Sequence, residues 1–201
     1  YRQVAAYRDN MVTPIDYATI IHSVVKMYNE AYVLVEVNDI GEQVSDLLHY
    51  EYEIETLLYT ESAGRSGKRI SAGFGKSVDK GIRTTKSVKA IGCNMLKLMI
   101  EQDQLIVQDF FTINELSTFS RKGVSYEAES GAHDDLVMCL VLFGWLTDQT
   151  FFREMTDINT MMRLKERNEE DLMESLLPIG FNSDDMMDDE DVSPSQSWYN
   201  Y

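Results

Sequence analysis

Tyr32-Val33-Leu34-Val35-Glu36-Val37 is the stretch of this sequence that says most about the fold. It is rich in β-branched and apolar residues, it is too short for a helix, and apolar side chains occupy both odd and even positions. A strand with two apolar faces is typical of the centre of a sheet that is covered on both sides. We therefore predict a central, doubly covered strand here.

Helices and further strands are predicted on either side of this strand. Thr13 is a suitable N-cap and Pro14 suits the first helical position, and apolar residues then recur at helical spacing up to Asn29. Further helices are expected at 41–49 and 86–101, and a helical turn is expected at 114–120. Another helix is expected to start near residue 133 and to continue through an apolar run that is typical of a buried helix. Short strands are expected at 1–7, 55–60 and 105–107, and residues 124–130 are expected to be irregular. This order of elements predicts an α/β fold.

Composition divides the chain into three predicted parts. Residues 1–150 hold the predicted core elements, and residues 151–180 are expected to form a helical extension. Residues 181–201 contain six acidic residues and a Ser-Pro-Ser run, a composition that cannot bury enough apolar surface to become ordered. We expect 181–201 to be a disordered acidic tail.

Basic residues are concentrated in one part of a chain whose net charge is −16. An acidic balance argues against nucleic-acid binding, but residues 65–89 contain eight basic residues and one acid, Asp79. Glycines punctuate residues 61–85, which predicts a basic hairpin or loop. We interpret it as a mobile arm for a nucleic-acid backbone, and the alternative is a solvated loop. The residues expected to contact DNA are Arg65, Lys68, Arg69, Lys76, Lys80, Arg83 and Lys86.

Two classes of protein are disfavoured. Cys93 and Cys139 have neither C-x-x-C nor Cys/His spacing, which argues against a disulfide framework and a zinc site. The longest uncharged apolar run, 136–146, is shorter than the roughly 20 residues of a membrane span. We expect a soluble protein of a reducing compartment.

Three carboxylates are candidates for a metal site. Glu36 lies on the predicted buried strand, where an ionised carboxylate needs an ion-pair partner or a metal. Asp134 and Asp135 precede the apolar helix. One can cap its N–H groups or face solvent, while the other turns toward the sheet and Glu36. Carboxylates suit Mg²⁺ and two-metal phosphodiester hydrolysis. The sequence leaves the choice between Asp134 and Asp135 open, and His133 is a metal ligand, a general base or, as we favour, a packing residue.

Several segments together suggest a family. They are residues 33–38, 86–98, 119–126 and 143–146, and above all Gly131-Ala132-His133-Asp134-Asp135-Leu136-Val137-Met138. These segments resemble the C-terminal nuclease domain of the large terminase subunit of T-even-like tailed bacteriophages. The resemblance covers about residues 1–150.

The resemblance implies an RNase H-like fold, with a mixed sheet flanked by helices, and metal-dependent cleavage of concatemeric double-stranded viral DNA during genome packaging into the prohead. It implies Mg²⁺, with Mn²⁺ as a substitute, Glu36 and Asp135 as catalytic residues and metal ligands, and Asp134 beside them. Implied partners are double-stranded DNA, the portal protein, the small terminase subunit and the N-terminal ATPase domain of the large terminase, with no membrane. The implied location is the host-cell cytoplasm, transiently at the prohead portal.

The family also carries an aspartate on its first strand, for which residues 1–30 offer no match. Asp9 and Asp16 fall in a predicted loop and a predicted helix. The resemblance therefore implies an N-terminally truncated nuclease domain. The alternative function is a non-catalytic fragment of the packaging motor that docks on DNA and portal, and a third interpretation is an unrelated α/β domain.

Overall fold

The computed structural model describes residues 1–62, 67–71, 78–123 and 125–176. The helices in these residues are α1 (Pro14–Met27), α2 (Ile40–Tyr50), α3 (Lys86–Glu101), α4 (Phe110–Thr118), α5 (Asp135–Thr147) and α6 (Thr150–Leu176). The strands are β1 (Tyr59–Ser62), β2 (Lys68–Ser71), β3 (Val78–Asp79), β4 (Phe119–Lys122) and β5 (Ser125–Ala128). β1 lies between β2 and β3 in one antiparallel sheet, and β4 pairs with β5 in a second.

Residues 1–156 form one compact unit. The division of the chain at residues 150 and 180 stays a prediction, and the predicted acidic tail at 181–201 lies outside the described residues. Among the described residues, no single helix is long and apolar enough to span a membrane; α5 and the first part of α6 meet that criterion only jointly, as a bent pair.

The segment 32–37 is paired on one edge by two neighbours. Val33 pairs in parallel with Leu57, and Ile82 exchanges backbone hydrogen bonds with Val35 and Val37. Since alternate residues of an extended chain direct their N–H and C=O groups to the same edge, the two neighbours share that edge and each forms only an isolated bridge. The segment is therefore extended and forms isolated β-bridges with two neighbours, but it is not a regular strand. Residues 33–36 are half-buried, so the expected double cover is wrong for them.

Three other expectations need correction. The predicted strands at 1–7 and 105–107 reduce to one parallel bridge between Arg2 and Ile106. Residues 124–130, expected to be irregular, contain β5. The pairing of β4 with β5 was not predicted, because the contact between them joins residues of two different strands. The rings of Phe119 in β4 and Tyr126 in β5 stack with their centroids 6.3 Å apart.

Helix α1 begins as predicted. The Thr13 hydroxyl accepts a hydrogen bond from the Asp16 N–H at 3.2 Å, and Pro14 is the first helical residue. Both features satisfy or remove N–H groups that a helix start leaves free.

Removal of this cap provides a test of the α1 boundary. We expect Thr13→Ala to lower the free energy of unfolding by about 1 kcal/mol, measured by urea denaturation. Thr13→Ser, which keeps the hydroxyl, is the matched control and should remain close to wild type. Equal losses in the two variants would contradict capping.

The core is built where α3 crosses α5. Val137, Val141 and Trp145 of α5 are almost fully buried, which confirms the expected buried helix. A Cβ atom on Gly92 of α3 would lie 2.2 Å from the Val141 carbonyl oxygen, so the two backbones meet directly. On α3, Leu96 is buried and Leu98 is 42% exposed. The crossing fixes the start of α5, which carries the candidate aspartates.

Candidate active site at the start of helix α5

The first turn of α5 is capped from another helix. Asp134 is the N-cap residue but makes no side-chain cap hydrogen bond. Instead, Glu115 of α4 accepts hydrogen bonds at its Oε2 atom from the N–H groups of Leu136 (2.7 Å) and Val137 (3.2 Å). Of the two expected alternatives, capping by one of these aspartates is therefore wrong, and exposure to solvent remains. N-capping is the simplest explanation for acidic residues at a helix start, and neither aspartate has that role here.

Glu115 is a buried charge with three donors around it. The residue is 4% exposed, and its Oε1 atom lies 3.3 Å from the Nη1 atom of Arg8. Two backbone donors and a guanidinium offset the cost of burying a carboxylate. Sequence reasoning missed Glu115 because it lies in a segment where only a helical turn was expected and where a charged residue usually faces water.

Asp135 and Asp134 have different neighbours. The Asp135 side chain is 68% exposed, and its Oδ2 atom lies 3.9 Å from the Arg8 guanidinium and 3.8 Å from His133 Nδ1. The Asp134 side chain is less exposed, and Lys89 Nζ lies 3.8 Å from its Oδ2 atom. His133 is exposed, so the packing role that we favoured for it is wrong. The geometry leaves Asp135 as the more accessible carboxylate.

The Glu36 side chain is oriented by Asn38, two residues further along the chain. The side-chain amide of Asn38 donates a hydrogen bond to Glu36 Oε1 at 3.0 Å. Gly41, at the start of α2, approaches the Glu36 carbonyl so closely that a Cβ atom could not be accommodated. The hydrogen bond fixes the direction of the carboxylate, and the packing of α2 fixes the backbone that carries it.

The charges of the candidate carboxylates act on the Cys139 thiol. Cys139 is one helical turn beyond Asp135, and burial raises the pKa of its thiol, followed by the negative charges of Glu36, Asp135 and Glu115. All three carboxylates are therefore close enough to influence one sulfur atom. A cleft of about 1110 Å³ opens at this position, with Arg8, His133, Asp135 and Cys139 in its wall.

A comparison with protein families decides what kind of domain carries this arrangement. The family model for the terminase RNaseH-like domain matches residues 1–143, a range that contains Glu36, Asp134 and Asp135 and ends within α5. The chain belongs to this family. It therefore has an RNase H-like fold and a terminase nuclease-type role, and its partners are DNA and the packaging motor in general.

A cation site at the carboxylates of this terminase domain stays a prediction. Among the described residues, no group of three or more His, Cys, Asp or Glu side chains is arranged to hold a metal ion. Mg²⁺ nevertheless binds proteins through one or two carboxylates, with water and phosphate oxygens in its other positions. Asp135 lines the cleft and can supply one such carboxylate. That Glu36 supplies a second one stays a prediction.

The cations of the predicted DNA-binding arm are largely paired with acids of the same domain. The ion pairs are Lys68 with Asp79 (2.5 Å), Arg69 with Glu61 (2.6 Å), Lys80 with Asp46 (2.7 Å) and Arg83 with Glu42 (3.9 Å). Arg65 and Lys76 lie outside the described residues. Within the part of the chain that the structure describes, Lys86 is exposed and makes no ion pair. The arm is therefore less positive than its sequence indicates.

Proposed function

We propose that this terminase domain is a metal-dependent endonuclease of the T-even-like type, which cuts concatemeric double-stranded viral DNA during genome packaging into the prohead. The observation that carries the proposal is the cap by Glu115. It satisfies the start of α5 and leaves the Asp135 carboxylate accessible in the wall of the cleft. The charges of both Asp135 and Glu36 act on the neighbouring Cys139 thiol. An exposed carboxylate without a capping role is suited to holding a cation.

The candidate residues have different proposed roles in phosphodiester hydrolysis. Glu36 and Asp135 would hold Mg²⁺, or Mn²⁺ in its place. A bound divalent cation supplies Lewis-acid polarisation of the phosphate and lowers the pKa of bound water, and a two-ion site would also stabilise the leaving oxygen. Asn38 keeps the Glu36 carboxylate oriented, and the Arg8 guanidinium in the cleft wall can donate charge-assisted hydrogen bonds to phosphate oxygens.

The basic segment supports DNA binding through exchange of its ion pairs. Arg69 and Arg83 are exposed, and exposed ion pairs contribute little free energy. Their partners can therefore be replaced by phosphates at small cost. Lys86, at the start of α3, is ready to contact a phosphate without such an exchange.

Lys86 allows a measurement of this contact. We expect Lys86→Gln to reduce the slope of log K for DNA binding against log salt by about 1, because one phosphate contact is lost. Lys97→Gln is the matched control, since Lys97 lies on the same helix and pairs with Glu101 at 3.6 Å. Fluorescence anisotropy with a DNA duplex measures both slopes. An unchanged slope in Lys86→Gln would remove Lys86 from the interface.

The proposed setting follows from the family resemblance. The domain would act with the portal protein, the small terminase subunit and the N-terminal ATPase domain of a large terminase, in the host-cell cytoplasm and transiently at the prohead portal. Cleavage would then follow the movement of DNA that the ATPase drives.

Conversion of supercoiled plasmid to nicked and linear forms tests the function. We expect conversion by the wild-type chain with Mg²⁺ or Mn²⁺, none with EDTA, and none by Glu36→Gln. Glu30→Gln is the control, because Glu30 is exposed and pairs only with Lys26 among the described residues. Metal-independent DNA binding without any cleavage would contradict the proposal and favour a non-catalytic docking module.

A further inference from the structure

Glu115 has a rigid support. Asp109 caps α4 by accepting a hydrogen bond from the Thr112 N–H at 2.8 Å. The fully buried Thr112, one turn before Glu115, accepts a hydrogen bond at Oγ1 from the Gln3 side chain at 3.0 Å. The helix that carries Glu115 is thus fixed at its start and tied to the N-terminal segment.

Arg8 connects Glu115 to Asp135. Its Nη1 atom lies 3.3 Å from Glu115 Oε1, and its Nη2 atom lies 3.9 Å from Asp135 Oδ2. Solvent and salt screen a buried charge pair less than an exposed one. The buried Glu115 therefore attracts the guanidinium more strongly than the exposed Asp135 does. Arg8 lies closer to Glu115, and its separation of 3.9 Å from Asp135 is too long for a hydrogen bond.

We propose that Glu115 is a positioning residue of the candidate active site. It fixes the first turn of α5, and it holds the Arg8 guanidinium out of close contact with the Asp135 carboxylate. The inference rests on the proposed function, because it takes Asp135 to be a cation ligand. Without the charge of Glu115, the remaining carboxylate that Arg8 contacts within the described residues is Asp135. Arg8 then competes with the cation for the same oxygen atoms.

The pair of variants Glu115→Gln and Arg8→Met separates positioning from folding. Glutamine keeps the size and an oxygen acceptor for the Leu136 and Val137 N–H groups, but it loses the charge that holds Arg8. We expect Glu115→Gln to weaken Mn²⁺ binding about 10-fold, as is usual when a residue that supports a ligand is lost. Arg8→Met removes the competitor and should bind Mn²⁺ at least as tightly as wild type.

The double variant is the decisive measurement. Isothermal titration of the whole chain with Mn²⁺ should give the Glu115→Gln, Arg8→Met protein the affinity of Arg8→Met alone. Unchanged affinity in Glu115→Gln, or a double variant as weak as Glu115→Gln, would overturn the positioning role. If Glu115→Gln does not fold, Arg8→Met decides, and weaker binding by that variant overturns the inference.

The same titrations distinguish this inference from the proposed function. Wild-type protein that binds Mn²⁺ no more tightly than Asp135→Asn would contradict the cation site itself, and the role of Glu115 would fall with it. Wild-type binding that depends on Asp135 but not on Glu115 would overturn the positioning role and leave the proposed function intact.

Discussion

Asp135→Asn is expected to reduce DNA cleavage by about 10³-fold or more, since members of a catalytic set act as a unit. Asparagine keeps the size of the side chain and loses the negative charge that would hold a divalent cation. The fold should survive, because Asp135 is exposed and the cap of α5 comes from Glu115. The free energy of unfolding should change by less than about 1 kcal/mol, the usual contribution of an acid to a helix dipole. Initial rates of plasmid nicking and urea denaturation measure the two effects.

Asp134→Asn is the matched control for this prediction. It changes the adjacent residue in the same way, but Asp134 faces Lys89 rather than the cleft. We expect it to retain most of the cleavage activity. A larger loss in Asp134→Asn than in Asp135→Asn would show that the two residues have the opposite roles. Equal loss of DNA binding and cleavage in Asp135→Asn would contradict a catalytic role.

Gly92→Val is expected to give the largest loss of stability. A Cβ atom at Gly92 would lie 2.2 Å from the Val141 carbonyl oxygen, and the Gly92 backbone also meets Gly144 closely. Backbone cannot move aside as a flexible side chain can, so α3 and α5 must separate and the core between them loses its packing. We expect a cost of about 3 kcal/mol or more, or loss of the cooperative transition in urea.

Asn94→Val controls for helix propensity. Asn94 is exposed on the same helix, so the substitution introduces the same β-branched side chain without a contact. Its cost should stay below about 1 kcal/mol. A similar cost at both positions would show that propensity, and not the close approach of the helices, determines the result.

The elements that local patterns encode were predictable. Thr13 and Pro14 mark the start of α1, and the apolar run before Phe143 marks the buried helix α5. Glu36, Asp134 and Asp135 stand out in the sequence as a charge in an apolar segment and a pair of acids at a helix start, and their role as metal ligands stays a prediction. Their mutual placement rests on tertiary structure.

The features that depend on distant partners were not predictable. Glu115 caps a helix 20 residues away, and Arg8 joins it from the start of the chain. The basic segment looked like a free cationic arm, yet Lys80 and Arg83 pair with acids of α2, which one-dimensional charge patterning cannot show. The exposed His133 was likewise misjudged, because a position beside a buried helix does not determine which way the ring points.

The central claim is that Glu36 and Asp135 hold one divalent cation at the cleft. Addition of substoichiometric Mn²⁺ to ¹⁵N-labelled protein tests it directly, because the ion broadens the amide signals of the residues around it. We predict that signals near residues 36 and 135 broaden together and first, and that Asp135→Asn abolishes both effects. Broadening confined to the acidic residues 184–191, or to only one of the two candidate segments, would contradict the account.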